Sequence, residues 1–376
     1  MTVETIQYLT TIRFGEGASA LLADELAGLS LSRPLVISDA PLVEIGLVDR
    51  VTGSLGAGVP VFDGTPSNPT ESAAEAAAEM YREHGCDCLV AVGGGSPIDL
   101  AKAVALRVTH EGPLAGYAAI EGGVAKITDR CAPVIAVPTT AGTGSEVGRA
   151  ALLTVADGRK LGLLSPYLIP VRALCDPELT YGLPPGLTAA TGIDAITHCI
   201  ETFLSPKFNP VADAIALDGL VRGWGHIRTA VAQPGDRAAR REMMMCSLQG
   251  ALTFQKGLGA VHSLSHPLGA VKSVNPHHGT LNAILLPEGL RHNEEAAREK
   301  YARLRDALGL PEGADIGAEV QGLTAEIGLP ATLGALGLQE GIIDGIAEAA
   351  MRDHSTPTNA REITAEAFRQ ILVASF

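Results

Sequence analysis

The chain has 376 residues, of which 46% are hydrophobic and 19% charged, and its formal net charge is −14. At roughly 100–200 residues per domain this is enough for two domains, each able to bury a core without disulfides or a structural metal. The acidity argues against nucleic acid as a partner, because such binding rests on Lys and Arg neutralising phosphates, and the plentiful apolar residues argue against disorder.

At the N-terminus, Met1–Ile6 has neither the basic start nor the apolar stretch of a signal peptide. No apolar run approaches the ~20 residues of a membrane helix. The cysteines (Cys86, Cys88, Cys131, Cys175, Cys199 and Cys246) form no Cys-x-x-Cys pair. The expectation is a cytoplasmic protein with reduced thiols and no membrane partner.

Through the first 180 residues, short β-rich runs alternate with helical stretches such as Thr70–His84. Candidate strands are Pro34–Ser38, Val59–Phe62, Cys88–Val92, Pro133–Val137 and Val171–Cys175. Continuous apolar strands separated by helices predict an α/β domain with a parallel sheet covered on both faces. Just past the first strand, Asp39 precedes Ala40-Pro41. It reads either as a turn-initiating residue or as an acceptor for a ribose 2′-hydroxyl, which would repel a 2′-phosphate.

The strand at Leu89–Val92 runs into Gly93-Gly94-Gly95-Ser96-Pro97-Ile98-Asp99. Residues without Cβ atoms let backbone N–H groups approach a ligand, and a helix N-terminus adds partial positive charge, so phosphate is the natural guest. Ser96 suits the N-cap and Pro97 the first helical position; Asp99 is either the partner in a capping box or a ligand contact. A second polar loop, Pro138-Thr139-Thr140-Ala141-Gly142-Thr143-Gly144-Ser145-Glu146, follows the strand ending at Val137. Two such loops after parallel strands fit a ligand at the strand carboxyl ends.

After Asp176–Thr180 the texture changes: Leu183-Pro184-Pro185 breaks the chain and helical periodicity dominates from about residue 187. We place a boundary near residue 180, between an α/β domain (1–180) and an all-α domain (181–376). In the second part Asp194 and His198 stand four apart, as do His262 and His266, and His277-His278 follow. Four of the ten histidines fall within 17 consecutive residues, 262–278, where an even scatter would leave fewer than one. Pairs at i, i+4 share a helix face, and two pairs plus a third His source can close a four-ligand N/O site. The donor set suits Fe(II), Zn(II) or another divalent first-row ion.

Across essentially the whole chain these motifs resemble the iron-containing (group III) alcohol dehydrogenase family. Gly93–Lys102 looks like its pyrophosphate signature and Pro138–Val147 like its second cofactor loop. Gly192–Glu201 and Gly257–Ala270 are similar to its two metal-bearing stretches. The resemblance implies an N-terminal dinucleotide-binding domain and a helical metal-binding domain, with NAD(H) and a divalent metal, Fe2+ with Zn2+ left open. It implies metal ligands Asp194, His198, His262 and His278, with His277 a rival for the last position, and a proton relay at His266. It further implies cofactor contacts at Asp39, Gly93, Gly94, Gly95, Ser96, Asp99, Thr139, Thr140, Thr143, Ser145, Lys160 and Leu179, and a homodimer.

The resemblance implies hydride exchange between nicotinamide and a small alcohol or its aldehyde or ketone. Lys256 falls where it puts the pocket wall, so it is read as a cation for an acidic ω-hydroxy or semialdehyde substrate, with Arg149 a weaker candidate and an exposed, solubilising Lys256 the alternative. Lyases and glycerol dehydrogenases of the same fold also combine nicotinamide with a metal. A metal hydrolase or non-haem iron oxygenase would use such ligands but leaves the two phosphate-friendly loops unexplained.

Overall fold

The computed structural model describes Ile6, Tyr8 and Thr10–Phe376; the signal-peptide reading of the first five residues lies outside the described residues. The chain divides into two compact units. One comprises Tyr8–Thr140 and Gly144–Thr180, the other Ala141–Thr143 and Tyr181 to the C-terminus.

The first unit is built on a parallel sheet. Among the described residues it contains β1 (Thr11–Phe14), β2 (Pro34–Ile37), β3 (Val61–Phe62), β4 (Cys88–Gly93), β5 (Val134–Pro138) and β8 (Arg172–Cys175). Their order is β1-β8-β5-β4-β2-β3. Alternate residues of a strand serve opposite faces, and both faces are packed. Leu89 and Ala91 join the core formed with the Glu71–Glu83 and Gly95–Arg107 helices. Val90 and Val92 join the other core, with Leu22, Leu26, Val48 and Val51. That two-sided burial is why β4 reads as an unbroken apolar run.

Two elements depart from the sequence expectation. The strands β6 (Ala150–Thr154) and β7 (Lys160–Leu164) form an antiparallel hairpin in the stretch before the last sheet strand. Its turn carries Asp157-Gly158, with Gly158 at φ 88°, and both strands alternate between buried and half-buried residues. The edge strand β1 is short and half-exposed, so it leaves almost no apolar signature.

The second unit is helical. Its long members are Pro185–Leu204, Pro210–Ala232, Arg237–Leu252 and His278–Asn293, with the shorter Ala260–Gly269 helix between the last two. Pro185–Leu204 is the central element, buried at every position from Thr188 to Leu204. Among the described residues, no helix is long and apolar enough to cross a membrane.

Candidate functional site

In the sheet order, β5, β4 and β2 are neighbours, and Gly93 pairs with Pro138. The loops that follow these strands therefore lie side by side at the carboxyl edge, where open α/β sheets receive ligands. The Gly95–Arg107 helix starts there with Gly94 as its N-cap and no side-chain cap. This corrects the assignment of the N-cap to Ser96, which lies inside the first turn and donates its hydroxyl to Ser67 O at 2.6 Å. Pro97 is tolerated in that turn because the first N–H groups have no helical acceptor. With no side chain closing the turn, its N–H groups are left to a ligand. Gly93 has φ 153°, and a Cβ there would stand 2.5 Å from Pro97 Cγ, so the loop needs glycine.

Asp99 is not the partner in a capping box. Its Oδ1 accepts from Ser145 Oγ at 2.5 Å and its Oδ2 from Leu152 N–H at 3.0 Å. Lys102 Nζ donates to Ser145 Oγ, Gly148 O and Ala150 O. These buried groups lock the second loop and the β6–β7 hairpin onto the helix. Glu146, which the sequence reading left unassigned, is buried near Lys102, and desolvation raises its pKa to about 7. Asp39 does cap a helix: its Oδ1 accepts from Leu42 N–H at 3.0 Å, and burial raises its pKa. Lys160 Nζ donates to Asn68 Oδ1 at 2.9 Å. Thr139 is buried and Thr140 half-buried beside Gly94, whereas Thr143 falls in the segment that groups with the helical unit. The Leu179 side chain packs into the sheet core, which leaves only its backbone to meet a ligand.

In the helical unit, Asp194, His198 and Glu201 stand at i, i+4 and i+7 on one face of Pro185–Leu204. The Ala260–Gly269 helix brings His262 to that face. Its first N–H groups are satisfied from elsewhere, Ala260 N–H by Asn359 Oδ1 at 3.0 Å and Val261 N–H by Glu201 Oε1 at 2.8 Å. The His278–Asn293 helix starts at His278, and Gly279 permits close approach: a Cβ there would lie 2.0 Å from Ala190 O.

The result is a convergence on Asp194 Oδ1. His198 Nε2 stands 3.6 Å away, and the Nε2 atoms of His262 and His278 each 3.7 Å away. Asp194, His262 and His278 offer ligand atoms within 4.8 Å of one another. His277, the N-cap of its helix, joins no such cluster among the described residues. Burial lowers the His198 pKa to about 4, so this imidazole is neutral and free to ligate. Burial also disfavours charge on His262, but the Asp194 and Glu201 carboxylates outweigh it and raise the pKa to about 9. The surrounding imidazoles hold Asp194 well below the usual carboxylate range, despite its burial.

Asn282, which sequence reasoning missed, donates Nδ2–H to Asp194 Oδ1 at 2.7 Å and lies 3.2 Å from Nε2 of both His262 and His278. Asp194 Oδ1 and two imidazole Nε2 atoms thus face one amide nitrogen, while Asn282 Oδ1 is buried without a partner. A divalent cation fits this donor set, since it takes neutral imidazole and carboxylate lone pairs together. Asn282 stands four residues after His278, the spacing that would have revealed it.

His266 Nδ1 faces Asp353 Oδ2 at 2.8 Å, and its ring stacks on that of His278 at 5.6 Å. Lys256 goes elsewhere. Its ammonium is buried, paired with Asp213, and donates to Phe203 O at 3.2 Å. This corrects its reading as a substrate-facing cation, because the charge is already neutralised; the solubilising alternative fails because the side chain is not exposed.

Two family models cover the chain: iron-containing alcohol dehydrogenase over residues 10–177, and the Fe-containing alcohol dehydrogenase family, C-terminal, over 188–376. The chain belongs to the iron-containing alcohol dehydrogenase family. It is 54% identical over 378 residues to 4-hydroxybutyrate dehydrogenase of Cupriavidus necator, spanning 98% of this chain and 99% of the relative. The crystal structure of 1,3-propanediol oxidoreductase superposes with a TM-score of 0.94 at 33% identity, covering 99% of this chain and 100% of that one. Sulfoacetaldehyde reductase from Bifidobacterium kashiwanohense, solved in complex with NAD+, superposes with a TM-score of 0.91 at 28% identity, covering 100% and 99%. As an iron-containing alcohol dehydrogenase the chain is a metal- and NAD-dependent oxidoreductase of small alcohols and aldehydes. Its α/β region followed by an all-α region is the family architecture.

Proposed function

We propose that this chain is an NAD-linked 4-hydroxybutyrate dehydrogenase, interconverting a short ω-hydroxy acid and its semialdehyde. The observation that carries the reading is the 54% identity to the Cupriavidus necator enzyme of that name, sustained over 98% of the chain. In this reading Asp194, His198, His262 and His278 hold the divalent ion, with Fe2+ as the resident metal. When bound, the ion supplies Lewis acidity to the substrate oxygen, and the nicotinamide takes up or returns the hydride.

The chain's own residues do the rest. The open first turn at Gly94–Ser96 offers N–H groups to the pyrophosphate, with Thr140 beside Gly94; Thr139, Thr143 and Ser145 are read as further cofactor contacts. Asp39 accepts the ribose 2′-hydroxyl and disfavours a 2′-phosphate. Lys160 adds a ribose contact, and Leu179 contributes through its backbone. Glu201 fixes the His262 tautomer so that Nε2 carries the lone pair. His266, its Nδ1–H held by Asp353, takes the hydroxyl proton at Nε2 and passes it outward.

The test is NADH formation at 340 nm with 4-hydroxybutyrate, 1,3-propanediol, 1,2-propanediol and 1-butanol. We expect kcat/KM for 4-hydroxybutyrate to exceed that for 1-butanol by at least about tenfold. Equal or better turnover of the neutral alcohols overturns the assignment of an acidic substrate.

A further inference from the structure

A second set of metal-ligating side chains stands beside the first. His266, Asp353 and His354 offer ligand atoms within 4.8 Å of one another, the same closeness found for Asp194, His262 and His278. His266 Nδ1 lies 2.8 Å from Asp353 Oδ2, and His354 Nδ1 lies 3.7 Å from Asp353 Oδ1. Two bonds of about 2.0–2.1 Å at a tetrahedral angle place ligand atoms about 3.3 Å apart. The two separations to Asp353 bracket that value, and the ligand atoms of all three residues lie within 4.8 Å of one another, so small side-chain rotations bring them to one ion. The rings are already arranged in layers: His354 stacks on His266 at 5.3 Å with 17° between planes, and His266 on His278 at 5.6 Å with 7°.

We propose that His266, Asp353 and His354 form a second divalent-cation site of zinc type. Two imidazoles and one carboxylate select a borderline transition metal over Mg2+ or Ca2+, which prefer all-oxygen sets. The Asp353 carboxylate is fixed by Ser355 N–H, which donates to Oδ1 at 2.8 Å, leaving further lone pairs for a cation. His266 and Asp353 are each 12% exposed and His354 37%, so the site has an open side through which an ion enters and solvent completes the shell. A cation here takes the Nδ1 lone pair of His266. It thereby replaces the Nδ1–H that orients this ring against Asp353, so occupancy of the second site acts directly on a residue stacked against the first.

The test counts metal on the holoenzyme. Protein is equilibrated with excess Zn2+, freed of unbound ion, and total divalent metal per chain is measured, whichever ion fills the first site. Two equivalents are expected for the native chain and one for His354→Ala and His354→Gln. Titration of the native holoenzyme with Co2+ provides a readout independent of either variant's folding, with ligand-field absorption expected to appear as the second equivalent binds. A count of one in the native chain, or an equal count in the native chain and a folded variant, overturns the proposal.

Discussion

Glu201 and His262 are joined by a 2.5 Å contact between Oε2 and Nδ1, and the other oxygen of the same carboxylate accepts the N–H of Val261. One side chain on the Pro185–Leu204 helix therefore fixes both the start of the Ala260–Gly269 helix and the tautomer of its first imidazole. With Nδ1 donating to Glu201, the ring once deprotonated carries its lone pair on Nε2, the atom 3.7 Å from Asp194 Oδ1.

Replacing Glu201 by Gln keeps the size but removes the charge that makes His262 a strong donor, and turns one of the two accepting oxygens into an N–H donor. Partners of this kind commonly contribute about 10- to 100-fold to metal affinity. We expect Glu201→Gln to lose metal about tenfold more readily in competition with a chelator. Retention equal to the native chain would show that the contact is structural only.

Lys256 gives a prediction opposite in kind to the one its sequence position invites. Its side chain is fully buried and paired with Asp213, whose own side chain is 17% exposed. Removing the amine takes the paired cation from a partly buried carboxylate and leaves it the neighbouring Lys300 ammonium; breaking a fully buried pair costs about 3–5 kcal/mol, and this half-open one the lower end of that range. Lys256→Ala should lower unfolding stability by about 3 kcal/mol in urea titration. It should shift KM for 4-hydroxybutyrate and for 1-butanol by the same factor. A selective rise for the acid would restore Lys256 as a substrate contact.

The difference between the two readings of Lys256 shows where the sequence is informative. Strand β4 was legible because burial on both faces leaves a run of apolar residues, and the Asp194/His198 pair because helix geometry forces i and i+4 together. The partners of those pairs were not. Glu201 reaches His262 across 61 positions and Asp353 reaches His266 across 87, distances that no local period spans. Lys256 and Ser96 were misplaced for the same reason. The acceptors that decide their roles, Asp213 and Ser67 O, are 43 and 29 residues away. The β6–β7 hairpin, by contrast, did carry local signals in Asp157-Gly158 and in its alternating strands.

Gly279 tests whether close helix approach is what completes the donor set. Both His278 and Asn282 ride on its helix, and a Cβ at 279 meets Ala190 O at 2.0 Å, a backbone atom that cannot step aside. Overpacking of this sort costs about 1–3 kcal/mol and moves the helix. Gly279→Ala should lower the melting temperature and, more tellingly, raise the chelator sensitivity of the bound metal. Gly269→Ala serves as the control, since a Cβ there meets nothing within 4 Å. If both variants hold metal equally well, the approach at Gly279 is not what positions His278.

Metal loading should depend on pH in a direction set by His262. In the metal-free cluster, burial disfavours its protonation, but Asp194 and Glu201 prevail and raise its pKa to about 9. His198, lowered to about 4 by burial, is neutral across the same range. Below about pH 9 an incoming ion must therefore displace at least the proton on His262. Apparent affinity should rise by at least about tenfold per pH unit below pH 9, level off above it, and be accompanied by release of at least about one proton per ion. Glu201→Gln removes one of the two carboxylates that raise this pKa, so the levelling point should move to lower pH. Chelator-competition titrations at pH 6, 7 and 8 measure the slope; a flat profile over those values would refute proton displacement from His262.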